Sequence, residues 1–270
     1  MFLIFFFILG SLWGSFSNVC IYRLPKNESV VFDRSYCPGC KKKIKWFDNI
    51  PLISFILLKA KCRCGDFKIS SQYFIVELLT ASIFAFIYFI YGFSVTTLLF
   101  LILTVFFVII FFIDLKHYII PNELTFPLMF IGFVKSFDPN LNQDLFPNYI
   151  NSLIGGVFGY FIIWSIIFLY KKIRNKEGMG LGDAKLLSAI GFWFGWVSIP
   201  IIIFFSSLVA LATVAPSLIN KSRNLSAEIP FGPFLIIGCV IFIAFGNFIK
   251  FAIFNPVSYT HLTLPTNREV

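Results

Sequence analysis

A chain of 270 residues with 58% hydrophobic residues, 38 Phe and a mean hydropathy of +0.87 has more apolar surface than one soluble core can hide. This excludes a water-soluble globular domain and makes lipid the solvent for much of the surface. The formal charge of +9 does not point to nucleic acid, because Lys and Arg sit in the connections between apolar runs and not on one basic face.

The first apolar run, residues 2–19, has no basic residue ahead of it and no convincing signal-peptidase site after it, so it reads as a retained helix over 1–20. Residues 21–72 form the one sizeable extramembrane unit, rich in Lys, Arg, Pro and Cys. Within it, Cys37-Pro38-Gly39-Cys40 is followed after 21 residues by Cys62-Arg63-Cys64. Four thiolates on the reducing side of a membrane suit a structural, tetrahedral zinc ion better than disulfides. The apolar stretch 50–58 is too short to span and reads as an interfacial or core segment. Cys20 and Cys239 fall in apolar runs and read as small core residues.

Seven more apolar runs follow, at 73–91, 94–113, 119–134, 149–170, 183–197, 198–219 and 232–254. The runs at 119–134 and 183–197 are short, and Pro121 and Pro127 interrupt the first of them. Such breaks are tolerated where neighbouring helices or an aqueous cavity satisfy the freed backbone. Residues 138–148, rich in Asn, Asp and Pro, read as an outer loop. The polar stretch 256–270 breaks from everything before it and reads as a non-native tail, a translated adaptor or vector junction. The fold expected is an all-α polytopic membrane protein with about eight transmembrane helices and a small cytosolic cysteine-rich domain between the first two. With both termini outside, 19 of the 22 Lys and Arg fall on the cytosolic side, leaving only Lys135, Lys250 and Arg268 on the other.

Ionisable groups in or beside hydrocarbon are costly, which makes Glu77, Asp114, Glu123 and Asp183 functional candidates. Asp114 ends the third apolar run and Asp183 begins the sixth, so both lie at the cytosolic face despite their distance in sequence. Two carboxylates in a low-dielectric site share a proton, so that one serves as base and the other as acid. That pair can activate water against a peptide carbonyl and protonate the leaving amine. No Ser or Cys nucleophile with a His partner competes, His117 being the only plausible histidine. The chemistry alone leaves two other readings open: Asp183 as a helix cap, or an Asp–Lys ion pair at the interface.

Residues 179–186, MGLGDAKL, contain the GxGD pattern of intramembrane aspartic proteases and closely resemble its prepilin peptidase form. The segment from Asp114 to Ile119-Ile120-Pro121-Asn122 resembles that family's first aspartate motif. Gly14-Ser15-Phe16-Ser17-Asn18, Trp46-Phe47-Asp48-Asn49-Ile50-Pro51, Glu77-Leu78-Leu79-Thr80 and Ile229-Pro230-Phe231-Gly232-Pro233-Phe234 match in the same order. The chain therefore resembles the type IV prepilin peptidases over nearly its whole length. The resemblance implies a multi-pass enzyme of the bacterial inner membrane whose active site faces the cytosol. It implies cleavage of the basic leader of type IV prepilins and type II secretion pseudopilins after a glycine, with Asp114 and Asp183 as catalytic carboxylates. Gly180, Gly182, Lys185, Pro121 and Asn122 would support them within the two motifs.

N-methylation of the new terminus with S-adenosylmethionine is implied by the same resemblance, with Glu77 as its candidate residue and a buried structural role as the alternative. It divides the chain into a cysteine-rich, methyltransferase-associated domain at 21–72 and a peptidase domain at 73–255. The family pattern has CxxC in both halves of the cysteine cluster, whereas the second half here is CxC. Prepilins or pseudopilins and membrane lipid are the expected partners, and nucleic acid is not. A transporter with a carboxylate relay and a non-catalytic assembly factor are the competing classes. A presenilin-like enzyme fits less well because Ile113 and not Tyr precedes Asp114, and the archaeal preflagellin type usually lacks the cysteine domain. Cys37→Ser or Cys62→Ser is expected to lower bound zinc and destabilise the 21–72 segment; elemental analysis finding no zinc in the intact protein would contradict this.

Overall fold

The computed structural model describes residues 1–30, 48, 50–63, 67–141, 145–175, 180–219 and 229–254, with backbone alone for 217–219 and 247–254. The described residues are helical almost throughout. Helix α1 covers Phe2–Arg23, α2 Ile53–Leu57, α3 Ser71–Tyr91, α4 Val95–His117, α5 Asn122–Val134, α6 Tyr149–Arg174, α7 Leu181–Phe194, α8 Ser198–Ile219 and α9 Gly232–Phe254. A helix thus stands at each of the eight apolar runs. Among the described residues five stretches are long and apolar enough to cross a membrane: Phe2–Lys26, Ser71–Tyr91, Val95–His117, Tyr149–Arg174 and Ser198–Pro216.

Local sequence explains the helix boundaries. Ser70, Ser94 and Asn148 cap α3, α4 and α6, their side-chain oxygens accepting from the amides of Gln72, Thr97 and Asn151. Gly92 and Gly195, both at positive φ, end α3 and α7. Pro121 does not interrupt α5 but precedes it, and Pro127 lies inside it. The 50–58 stretch folds into the single turn of α2, with Ile53, Ile56 and Leu57 exposed. An antiparallel bridge pairs Lys61 with Lys68. Cys62 sits on that bridge, its amide donating to the Phe67 carbonyl at 2.9 Å, whereas Cys37, Cys40 and Cys64 lie outside the described residues. Cys20 and Cys239 are buried.

Small residues bring the helices together, as expected where lipid offers no hydrophobic drive to pack one helix on another. Gly10 and Gly14, one turn apart on α1, face α3 so closely that a Cβ at either would lie 2.7 Å from the Cα of Ala81 or of Glu77. Phe6 stacks on Tyr88 at one end of this antiparallel pair, and Asn18 Nδ2 donates to the Tyr73 carbonyl at the other. Gly155, Gly156 and Gly159 play the same part for α6 against α7. There Ser188 Oγ donates to the Gly156 carbonyl at 2.8 Å and Ser152 Oγ to the Phe192 carbonyl at 2.6 Å. The fully buried Trp193 ties α7 to α5 by donating from Nε1 to the Leu128 carbonyl at 2.9 Å.

Just beyond α5, Lys135 folds inward. Its Nζ donates to the Trp193 carbonyl at 2.9 Å and stands 4.0 Å from the centroid of the Phe146 ring. Burial pulls the ammonium down to about 7. An unfolded Lys titrates near about 10.4, so between these values the folded chain holds fewer protons than the unfolded one. This group's contribution to stability is full above the unfolded value and falls as pH drops toward the folded one. The thermal midpoint of the wild type in detergent is therefore expected to fall relative to that of Lys135→Met between about pH 10 and pH 7; a difference independent of pH would contradict this.

Candidate active site

Asp114 occupies the last turn of α4 and is 3% exposed; Asp183 is the third residue of α7 and is 8% exposed. Gly182, next to Asp183, and Gly232, whose amide holds Asp114, both lie against Ile120, which brings the two acid-bearing segments to one place. Their meeting depends on a tight reversal after α4. Tyr118 takes a left-handed conformation, and its amide closes the last turn on the Asp114 carbonyl at 3.0 Å. The chain then runs without helix through Ile119 and Ile120 to Pro121, whose φ of −64° leads into α5.

Each carboxyl lies at a helix N-terminus. Gly232, the first residue of α9, donates from its backbone to Asp114 Oδ2 at 3.0 Å. A Cβ on residue 232 would stand only 2.7 Å from that same oxygen. Asp183 stands in the first turn of α7, its own amide donating to the carbonyl of Gly180, the N-cap, at 3.2 Å. Helix N-termini favour negative charge, by about 0.3–1 kcal/mol per charge at exposed sites and more in partly buried ones. Two of them converge on this carboxyl pair.

The remaining motif residues divide. Lys185 does not pair with Asp183; its Nζ donates to Asn122 Oδ1 at 2.6 Å and so joins the start of α5 to the first turns of α7. Gly182 is crowded, since a Cβ there would lie 3.1 Å from Ile120 Cβ, whereas Gly180 has only the Gly182 amide nitrogen within reach, at 3.8 Å. Two residues of the site were not anticipated. Gly232 sits inside a quoted motif but has no side chain to suggest chemistry. Ile120 looks like any apolar residue in a lipid-exposed protein. Pro233, just inside the start of α9, was the available sign that a helix N-terminus begins at Gly232.

Glu77 lies apart from these elements, 7% exposed on α3. It accepts from the Leu52 amide at 2.8 Å. Leu52 holds a φ of 62°, a strained conformation for a branched side chain, in making that bond. Glu123 is exposed in the first turn of α5. Among the described residues no group of three or more His, Cys, Asp or Glu is placed to hold a metal.

Two family models match the chain: the Bacterial Peptidase A24 N-terminal domain over residues 8–91 and the Type IV leader peptidase family over residues 101–215. The chain is 37% identical to a protein of Xanthomonas campestris named prepilin leader peptidase/N-methyltransferase, over 88% of this chain and 90% of that one. It is 36% identical to a protein of the same name from Neisseria gonorrhoeae, over 88% of each. A Pseudomonas aeruginosa protein of that name is 34% identical over 89% of each. No solved structure matches.

Gly232→Ala is expected to force the Asp114 carboxyl or the start of α9 aside, costing about 1–3 kcal/mol as overpacking does. Gly180→Ala meets only an ordinary contact at 3.8 Å and should cost less. Thermal midpoints in detergent distinguish them, and equal midpoints for both variants would contradict the close approach at Gly232.

Proposed function

This chain belongs to the type IV leader peptidase family, and on that premise we propose that it is a prepilin leader peptidase and N-methyltransferase whose peptidase chemistry is carried by Asp114 and Asp183. The observation that supports the pair most directly is the convergence of two buried acids from distant helices, Asp114 on the Gly232 amide and Asp183 in the first turn of α7, on the segment around Ile120. One carboxylate removes a proton from a water molecule, whose oxygen attacks the scissile carbonyl carbon. The other carboxyl, protonated, hydrogen-bonds the carbonyl oxygen as negative charge develops there. A proton is then delivered to the leaving amine as the C–N bond breaks, and the dyad again holds one proton. The two helix N-termini favour the single negative charge that the pair carries in its resting state.

The substrate proposed is a prepilin or pseudopilin, cut after the leader glycine where its apolar helix meets the cytosol. The end of the bundle that holds the dyad also carries Lys116, Lys171, Lys172, Arg174 and Lys185, while Lys135 lies at the other end. That distribution supports eight spans in the bacterial inner membrane with the dyad on the cytosolic side. The organisation proposed is a cytosolic cysteine-rich domain at 21–72 and a peptidase domain at 73–255.

S-adenosylmethionine supplies the methyl group in the second activity. Glu77 fits a cationic cofactor of this kind, because the Leu52 amide uses only part of its acceptor capacity and its carboxylate complements a positive charge. The four thiols at Cys37, Cys40, Cys62 and Cys64 are of the chemistry that holds structural zinc, which would stabilise the cytosolic domain and take no part in hydrolysis.

Asp114→Asn and Asp183→Asn are each expected to lower cleavage of a purified prepilin by about 10²–10⁴-fold. Mass spectrometry of a co-expressed prepilin reads leader removal and the added methyl group together. Wild-type turnover by both variants would reject the dyad.

A further inference from the structure

We propose that Ile120 is the spacer that sets the separation of the two carboxyl groups, a positioning residue for the peptidase reaction. Ile120 is partly buried in the non-helical link between α4 and α5 and packs on the hydrophobic core. Its side chain stands between the starts of two helices. On one side lies Gly182, where an added Cβ would come within 3.1 Å of Ile120 Cβ and 3.5 Å of Ile120 Cγ1. On the other lies Gly232, where an added Cβ would come within 3.1 Å of Ile120 Cδ1. The residue beside Gly182 is Asp183, and the amide of Gly232 holds Asp114 Oδ2. One branched side chain therefore touches the backbone that carries one carboxyl and the backbone that grips the other.

A β-branched side chain suits this task because its χ1 is stiff and keeps its width fixed. Both neighbours are glycines, so the contact is side chain against backbone, with no flexible group to absorb a change of size. Shrinking residue 120 lets the starts of α7 and α9 drift relative to each other, and displacements near 1 Å in a reacting geometry cost on the order of 10²-fold in rate. Bulk moved from one side of the contact to the other, with the total conserved, is tolerated best. Ile120 Cδ1 faces Gly232, so its removal in Ile120→Val opens room there. Residue 120 can then retreat from a methyl group placed at residue 182.

The inference rests on the dyad reading, and the experiment separates the two. Purified variants are assayed on a purified prepilin in detergent, with kcat and KM determined separately and folding checked by thermal midpoint. Ile120→Ala is expected to lower kcat by roughly 10–100-fold with KM within about threefold of wild type. Gly182→Ala is expected to lower kcat, and Gly182→Ala/Ile120→Val is expected to recover turnover above the Gly182→Ala level. Three outcomes overturn the spacer: unchanged kcat in folded Ile120→Ala, a rise in KM at constant kcat, or losses that simply multiply in the double variant. If Asp114→Asn and Asp183→Asn keep full activity, the dyad fails instead. Inactive Asp variants beside an indifferent Ile120 would sink the spacer alone.

Discussion

The Asp114 carboxyl reaches the amide of Gly232 because residue 232 has no side chain, and the arrangement of the site follows from that contact. The bond crosses from the end of α4 to the start of α9, two segments separated by more than a hundred residues. It brings a helix N-terminus to a buried acid and so supplies both a donor and a favourable field. An acid without such a partner, at 3% exposure among apolar helices, would carry its full desolvation cost. Asp183 stands in the first turn of its own helix, where the N-terminus favours its charge.

The same absence of side chains organises the rest of the bundle. Gly10 and Gly14 seat α1 on α3, and Gly155, Gly156 and Gly159 seat α6 on α7. The second contact matters for the site, because α7 carries Asp183 at its start and is anchored along its length by Ser188, Ser152 and Trp193. A 14-residue helix is short for a membrane span. Packing against α5 and α6 on either side, with hydrogen bonds from side chains to backbone, offsets that shortness. The Lys135 ammonium on the Trp193 carbonyl adds a cation near the C-terminus of the same helix. The acid at one end and the cation at the other both suit the dipole of α7.

Much of this was legible in the sequence. The apolar runs located the long helices to within a few residues, since a span must be continuous and charges must fall at its ends. The positions of Asp114 and Asp183 at the ends of their runs were equally readable, because an acid in hydrocarbon is conspicuous. What stayed hidden was whatever acts through backbone. Gly232 contributes an amide and an empty space, neither of which has a sequence signature of its own. Ile120 is one more apolar residue until its neighbours are known. Lys185 pointed toward an ion pair with Asp183, yet its length carries the ammonium across to Asn122 on α5. The pairing of Glu77 with Leu52 depended on a positive φ that no leucine advertises.

The central claim is that residues 114 and 183 face each other across one small site. Replacing both with cysteine and treating the membrane-embedded protein with a short bis-maleimide cross-linker tests it without reference to turnover. The account predicts that mass spectrometry of the digest finds the peptide containing position 114 joined to the peptide containing position 183. Efficient labelling of both cysteines with no such linked pair would contradict it.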